Sequence, residues 1–171
     1  MRVFVALQPA PVFRDALASL QDRLRAVGVT GRYLTPANLH LTLAFIGMWP
    51  ENITNLLPSV QKPFPVTLSR LGIFPAARVL WAGIEPSETL DRLAQQVRQA
   101  LSEAEIPFDR KNFNPHISLV RKPTVPEHVT LSEIEVPRAT MIVDDVCLYR
   151  SDHLENGMEY TVIGHSNQGG R

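Results

Sequence analysis

The apolar positions of this chain keep first one period and then another. From Arg2 to Leu7 they alternate, with Val3, Val5 and Leu7 on one side, which predicts a strand ended by Pro9 and Pro11. From Phe13 onward the spacing is that of a helix, through Leu17, Leu20, Leu24 and Val27, with Pro11 near its start and Gly28 at its stop. Its apolar stripe is expected to cover a neighbouring sheet. Gly31 to Pro36 reads as a loop. A strand through Asn38 to Ile46 follows, then a short helix over Glu51 to Leu57 limited by Pro58. Val66 to Phe74, interrupted by Gly72, and Val79 to Ile84 are strand-like and are expected to pair around Pro75 to Ala77.

Ser87 predicts the N-cap of a second helix, whose face runs through Leu90, Leu93, Ala94, Val97, Leu101 and Ala104 until Pro107 forbids continuation. Strands are then expected at Asn114 to Leu119, Ile134 to Val136, Thr140 to Tyr149 and Met158 to Ile163. Asn156-Gly157 predicts the turn of a closing hairpin over Leu148 to Ile163, with an irregular approach at Arg150 to Glu155.

One stretch occurs twice. Asn38-Leu39-His40-Leu41-Thr42-Leu43 returns as Asn114-Pro115-His116-Ile117-Ser118-Leu119: Asn, spacer, His, aliphatic, hydroxyl, Leu. With 5 histidines in the chain, chance supplies a His-apolar-hydroxyl-apolar match only ~0.1 times. On a strand His40 shares a face with Thr42 and His116 with Ser118, while the aliphatic residues turn to the core. Each stretch follows a strand and a helix, so the halves repeat one order at a spacing that predicts two related lobes rather than a solenoid.

Length and composition narrow the picture. At 171 residues one folding unit over 1–164 is expected, with a mobile polar tail at 165–171. Acidic and basic residues balance at 17 each, so an anionic substrate must be held by local charge. The first residues carry too short an apolar run for a signal peptide and no stretch is long enough to span a membrane, so a cytoplasmic location is expected; the protein is also expected to be a monomer. Cys147 reads as a small buried hydrophobe. His128, His153 and His165 have no matched company and receive no role. Asp144 and Asp145, adjacent on a strand, point to opposite faces and are not expected to bind a metal jointly.

Two imidazoles of ordinary pKa ~6.5 supply, near neutrality, a neutral base and a protonated acid. Facing each other across a cleft, they suit in-line displacement at phosphorus: one deprotonates water and the other protonates the leaving oxygen. Thr42 and Ser118 can donate to non-bridging oxygens, and Arg121 can add a charge-assisted contact. No metal or other cofactor is required. Arg110-Lys111 and Arg121-Lys122 are either solvated charges or phosphate contacts.

These motifs resemble those of the 2H phosphoesterases, in particular the RNA 2′,3′-cyclic phosphodiesterases, also called 2′-5′ RNA ligases. The similarity runs from Met1–Leu7 through the two His stretches to Leu148–Ser151 and Gly157–Tyr160. It implies an α+β, bilobal fold of two pseudo-symmetric lobes, with antiparallel sheets flanking a central cleft and helices outside. It also implies His40 and His116 as catalytic residues, with His40 donating to O3′ and His116 activating water. Thr42, Ser118 and Arg121 become substrate-binding residues. The implied reaction is metal-independent hydrolysis of RNA ends carrying a 2′,3′-cyclic phosphate to 2′-phosphates, with reverse 2′-5′ ligation as its counterpart. Arg32-Tyr33 stands where the family has Arg-Trp, Ser118 where Thr is commoner, and the segment near Pro58 is a poor helix for this family. Alternatives are a relative acting on 2′-5′ oligonucleotides or cyclic ADP-ribose phosphate, a non-catalytic RNA-end-binding protein, and a metal-dependent phosphodiesterase, for which a ligand cluster is missing.

Overall fold

The computed structural model describes residues 1–167. Among them nine strands form one curled antiparallel sheet, with two helices packed on it. In chain order these are β1 (Arg2–Leu7), α1 (Pro11–Ala26), β2 (Thr30–Tyr33), β3 (Leu41–Met48), β4 (Phe64–Phe74), β5 (Val79–Ile84), α2 (Glu88–Glu103), β6 (His116–Thr124), β7 (Thr140–Val143), β8 (Cys147–Leu154) and β9 (Gly157–His165). The sheet order is β7-β4-β5-β6-β3-β1-β8-β9, and β2 also pairs with β6.

The two expected lobes are present as halves of this sheet. One holds β1, β3, β8 and β9; the other holds β2 and β4 to β7. They join through a single residue pair, Leu41 with Ile117. Each of these residues directly follows one of the two matched histidines, so the local two-fold relation passes between them. Antiparallel register then sets His40 across from Ser118 and Thr42 across from His116.

The helices are exchanged between the halves: α1 packs on β6 and β7, and α2 on β3. Both follow the predicted stripe, with Phe13, Leu17, Leu20 and Leu24 of α1 buried and Leu90, Leu93, Val97 and Leu101 of α2 buried. The Ser87 side chain caps α2 by accepting from the Leu90 amide at 3.1 Å. Each helix also reaches a His stretch through a polar side chain. Buried Gln21 donates to the carbonyl oxygens of Leu34 and Leu119, and Arg98 donates to those of Leu43 and Lys111. Leu43 and Leu119 are equivalent positions of the two stretches, so each helix pins the strand that carries the other half's histidine.

Several local expectations change. Gly31 to Tyr33 is not loop, because β2 finds a partner in β6. The helix expected at Glu51 to Leu57 is a single 3-10 turn, Thr54–Leu56; the Asn52 side chain takes the Thr54 amide and offers the backbone a competing bond. No strand forms at Ile134 to Val136, which follows a 3-10 turn at Leu131–Glu133. The run Thr140 to Tyr149 divides at 144–146 into β7, paired with β4, and β8, paired with β1. The closing hairpin is regular through Arg150 to Leu154, and its turn is Glu155-Asn156, with Gly157 (φ 132°) already opening β9. His165 is the last residue of β9, cross-strand from Cys147, and Ser166 and Asn167 bond to Asp145. Residues 165–167 of the expected tail are thus tied to the sheet, and 168–171 lie outside the described residues.

Gly72 does not break β4. A side chain there would bring its Cβ to 2.2 Å from Cζ2 of Trp81 on β5, so glycine makes room for the indole. Gly72→Ala is expected to cost about 1–3 kcal/mol by overpacking, read as a lower urea midpoint at unchanged slope.

Candidate active site

The loop before each His strand sets its ring in the same way. His40 follows a 3-10 turn, Pro36–Asn38, and its Nδ1 lies 2.7 Å from the Asn38 carbonyl oxygen. His116 Nδ1 lies 2.7 Å from the carbonyl oxygen of Asn114. A neutral imidazole that donates from Nδ1 keeps its lone pair on Nε2, which is then the nitrogen able to exchange protons with a ligand. The Asn38 side chain adds a tie to the hairpin, donating to the Met158 carbonyl oxygen at 2.8 Å and accepting from the Tyr160 amide at 3.1 Å.

Aromatic rings enclose both histidines. His40 packs against Phe4 with ring centroids 4.7 Å apart and meets Tyr160 edge-on at 5.1 Å. Phe4 in turn stacks on Tyr149 at 4.9 Å. His116 meets Phe74 edge-on at 4.8 Å, with Trp81 at 6.3 Å.

His40, Thr42, His116, Ser118 and Arg121 all line one open cleft of about 580 Å³, together with Tyr160, Lys111 and Arg2. The five residues selected in the sequence are thus brought together. Arg121 donates to the Tyr160 hydroxyl at 3.2 Å. Of the flanking basic residues Lys111 and Arg121 reach this cleft, whereas the Arg110 guanidinium lies over Phe108. His128 sits in a turn and His153 lies against the Met158 sulfur at 3.1 Å, and neither lines the cleft.

The electrostatics correct one expectation. Burial is the main force lowering the pKa of His40, to about 4, opposed by its bond to Asn38 and reinforced by the charges of Arg121 and His116. His116 is also lowered, again chiefly by burial, with Asn114 opposing and Arg121 adding. In the unliganded cleft, then, both imidazoles are neutral near pH 7, rather than one neutral and one charged. A negative charge placed beside Arg121 would raise both values.

Sequence reasoning passed over Tyr160, Phe4 and Phe74 as site residues. Phe4 and Tyr160 arrive through β1 and the hairpin, and no local spacing marks them. The Asn at the same offset in both stretches was the available signal for the Nδ1 anchor.

A curled antiparallel sheet with two outer helices and paired His-x-hydroxyl strands at its seam defines a two-histidine phosphoesterase architecture. Comparison with known proteins agrees. The profile described as the 2′-5′ RNA ligase superfamily matches residues 5–155, and the chain belongs to that superfamily. It is 32% identical to a Thermus thermophilus protein named RNA 2′,3′-cyclic phosphodiesterase, over 95% of this chain and 88% of that one. A Thermus thermophilus crystal structure superposes with a TM-score of 0.75 at 31% identity, covering 96% of both chains. The structure of Escherichia coli LigT complexed with 3′-AMP has a TM-score of 0.75 at 26% identity, covering 96% of this chain and 95% of that one.

Proposed function

We propose that this protein hydrolyses RNA ends bearing a 2′,3′-cyclic phosphate to 2′-phosphates, with His40 and His116 as the acid–base pair acting on one phosphate. The observation that carries this reading is the shared cleft: two imidazoles with identically anchored Nδ1 atoms, two strand-borne hydroxyls and the Arg121 guanidinium converge there. A non-catalytic role has less support, since binding a phosphate would not call for two matched imidazoles freed at Nε2. The names of the relatives and the nucleotide seen in LigT are consistent with the substrate class.

In this mechanism the cyclic phosphate sits between the rings, with Thr42, Ser118 and Arg121 donating to its non-bridging oxygens. His116 takes a proton from the attacking water, and His40 delivers one to O3′ as the P–O3′ bond breaks. Both protons pass through Nε2, because Nδ1 is held by a backbone carbonyl. Phe45 and Phe74, which border the cleft, would contact the terminal nucleoside. Reversal of the same steps, with a 5′-hydroxyl in place of water, joins ends through a 2′-5′ linkage, and hydrolysis dominates in water.

The test is turnover of an oligoribonucleotide with a 2′,3′-cyclic phosphate in excess chelator, with the product identified as the 2′-phosphate. Loss of turnover in chelator, or a 3′-phosphate product, would count against the proposal. The pH dependence adds a sharper expectation. The singly protonated pair is the active form, and both pKa values lie below 6.5 in the free enzyme. The profile of kcat/KM is therefore a bell whose alkaline limb begins below pH 6.5, whereas the kcat profile, which reports the phosphate-bound site, is displaced upward. Coincident profiles centred above pH 7 would contradict this electrostatic picture.

A further inference from the structure

Where β8 follows the 144–146 link it brings together three side chains that the cleft does not use. Cys147 opens β8 and pairs across the hairpin with His165, the last residue of β9. Asp145, two residues before Cys147, lies beside both: its Oδ2 is 2.6 Å from His165 Nδ1 and 3.6 Å from Cys147 Sγ, and Sγ is 3.6 Å from Nδ1. A carboxylate oxygen, a sulfur and an imidazole nitrogen thus converge within 4.8 Å of one another. We propose that Asp145, Cys147 and His165 bind one thiophilic divalent cation of zinc's type, with the fourth position left to water.

Two observations support this assignment. The first is spacing. Tetrahedral zinc with ~2.3 Å to sulfur and ~2.0 Å to nitrogen or oxygen sets sulfur about 3.5 Å from its fellow ligands, close to both observed separations of 3.6 Å. Only the Asp145–His165 pair has to open, by less than about 1 Å, as the ion replaces their hydrogen bond. The second is outer support. The other carboxylate oxygen of Asp145 accepts from the Ser166 hydroxyl at 3.3 Å and the Asn167 amide at 3.2 Å, which orients Oδ2 toward the cluster. A cavity of about 420 Å³ that reaches Asp145 and Cys147 provides entry; Arg14 is the one cation among its lining residues and donates to the Pro9 carbonyl oxygen.

On binding, the thiol proton leaves for solvent and sulfur bonds to the ion as thiolate. A neutral His165 shifts its proton from Nδ1 to Nε2 to free the ligating nitrogen. None of the three residues lines the His40–His116 cleft, so the ion is structural and takes no part in turnover. It clasps the link before β8 to the end of the hairpin that carries Tyr160.

Chelator-stripped protein is titrated with zinc by calorimetry and with cobalt(II) by absorbance, alongside Cys147→Ser and His165→Gln. The wild type should take up one ion per chain, release a proton and show a sulfur-to-cobalt charge-transfer band. Cys147→Ser should lose the band, and both variants should bind at least ~10-fold more weakly. His165 is partly exposed, so its Gln variant keeps the test available should Cys147→Ser fail to fold. Thermal melting should rise with zinc in the wild type only. Equal zinc affinity in wild type and His165→Gln, or cobalt bound without a sulfur band, would overturn the proposal. Turnover of the cyclic phosphate measured on the same stripped sample reports separately on the proposed activity.

Discussion

Replacing either histidine by alanine is expected to lower kcat on a 2′,3′-cyclic phosphate substrate by roughly 10²–10⁴-fold, with native circular dichroism retained. The expectation rests on symmetry. Each ring is fixed through Nδ1 to the carbonyl of the Asn two residues earlier, each is walled by aromatic side chains, and each faces the same cleft. Both rings line the cleft, as the proposed role requires. In the proposed mechanism the two act on one displacement, so the double variant should lose little more than the worse single one. Independent, multiplicative losses would mean that the rings serve separate events. Truncating His40 also removes a contact of Phe4, Tyr149 and Tyr160, so a thermal melt must accompany the kinetics.

Arg121→Ala is the second large effect, an expected fall of about 10²–10³-fold in kcat/KM. Arg121 lies on β6 beyond Ser118, lines the cleft and is steadied by the Tyr160 hydroxyl. Its positive charge also lowers the pKa of both histidines. The variant should therefore show a second signature: with the cation gone, the alkaline limb of the kcat/KM profile moves to higher pH. Arg121→Lys restores the charge and hence the limb, but only part of the rate, since an ammonium cannot reproduce the planar fork. A rate loss without any movement of the profile would place Arg121 away from the imidazoles.

The parts of the fold that were legible in the sequence are those written in local period. Both helices, their caps and the strands bearing the histidines follow from spacing and from Pro11, Gly28 and Ser87. What escaped depends on partners distant in sequence. β2 exists because β6 offers it an edge, the Thr140 to Tyr149 run splits because its ends pair with different strands, and the exchange of helices between halves leaves no local mark. The site divides in the same way. Its His and hydroxyl residues announced themselves by repetition, whereas Tyr160 and Phe4 come from opposite ends of the chain. The neutral state of both imidazoles depends on burial, which spacing does not reveal. His165 was passed over for a similar reason: its neighbours Asp145 and Cys147 meet it only across the hairpin.

Whether two imidazoles serve one phosphate in opposite roles is tested most directly with a leaving group that needs no proton. A cyclic substrate with sulfur in place of the bridging O3′ releases a thiolate, so loss of the proton donor should hardly matter, while loss of the base should matter as before. The account predicts that this substrate restores most of the turnover of His40→Ala and leaves His116→Ala impaired. Equal rescue of both variants, or rescue of neither, would contradict it.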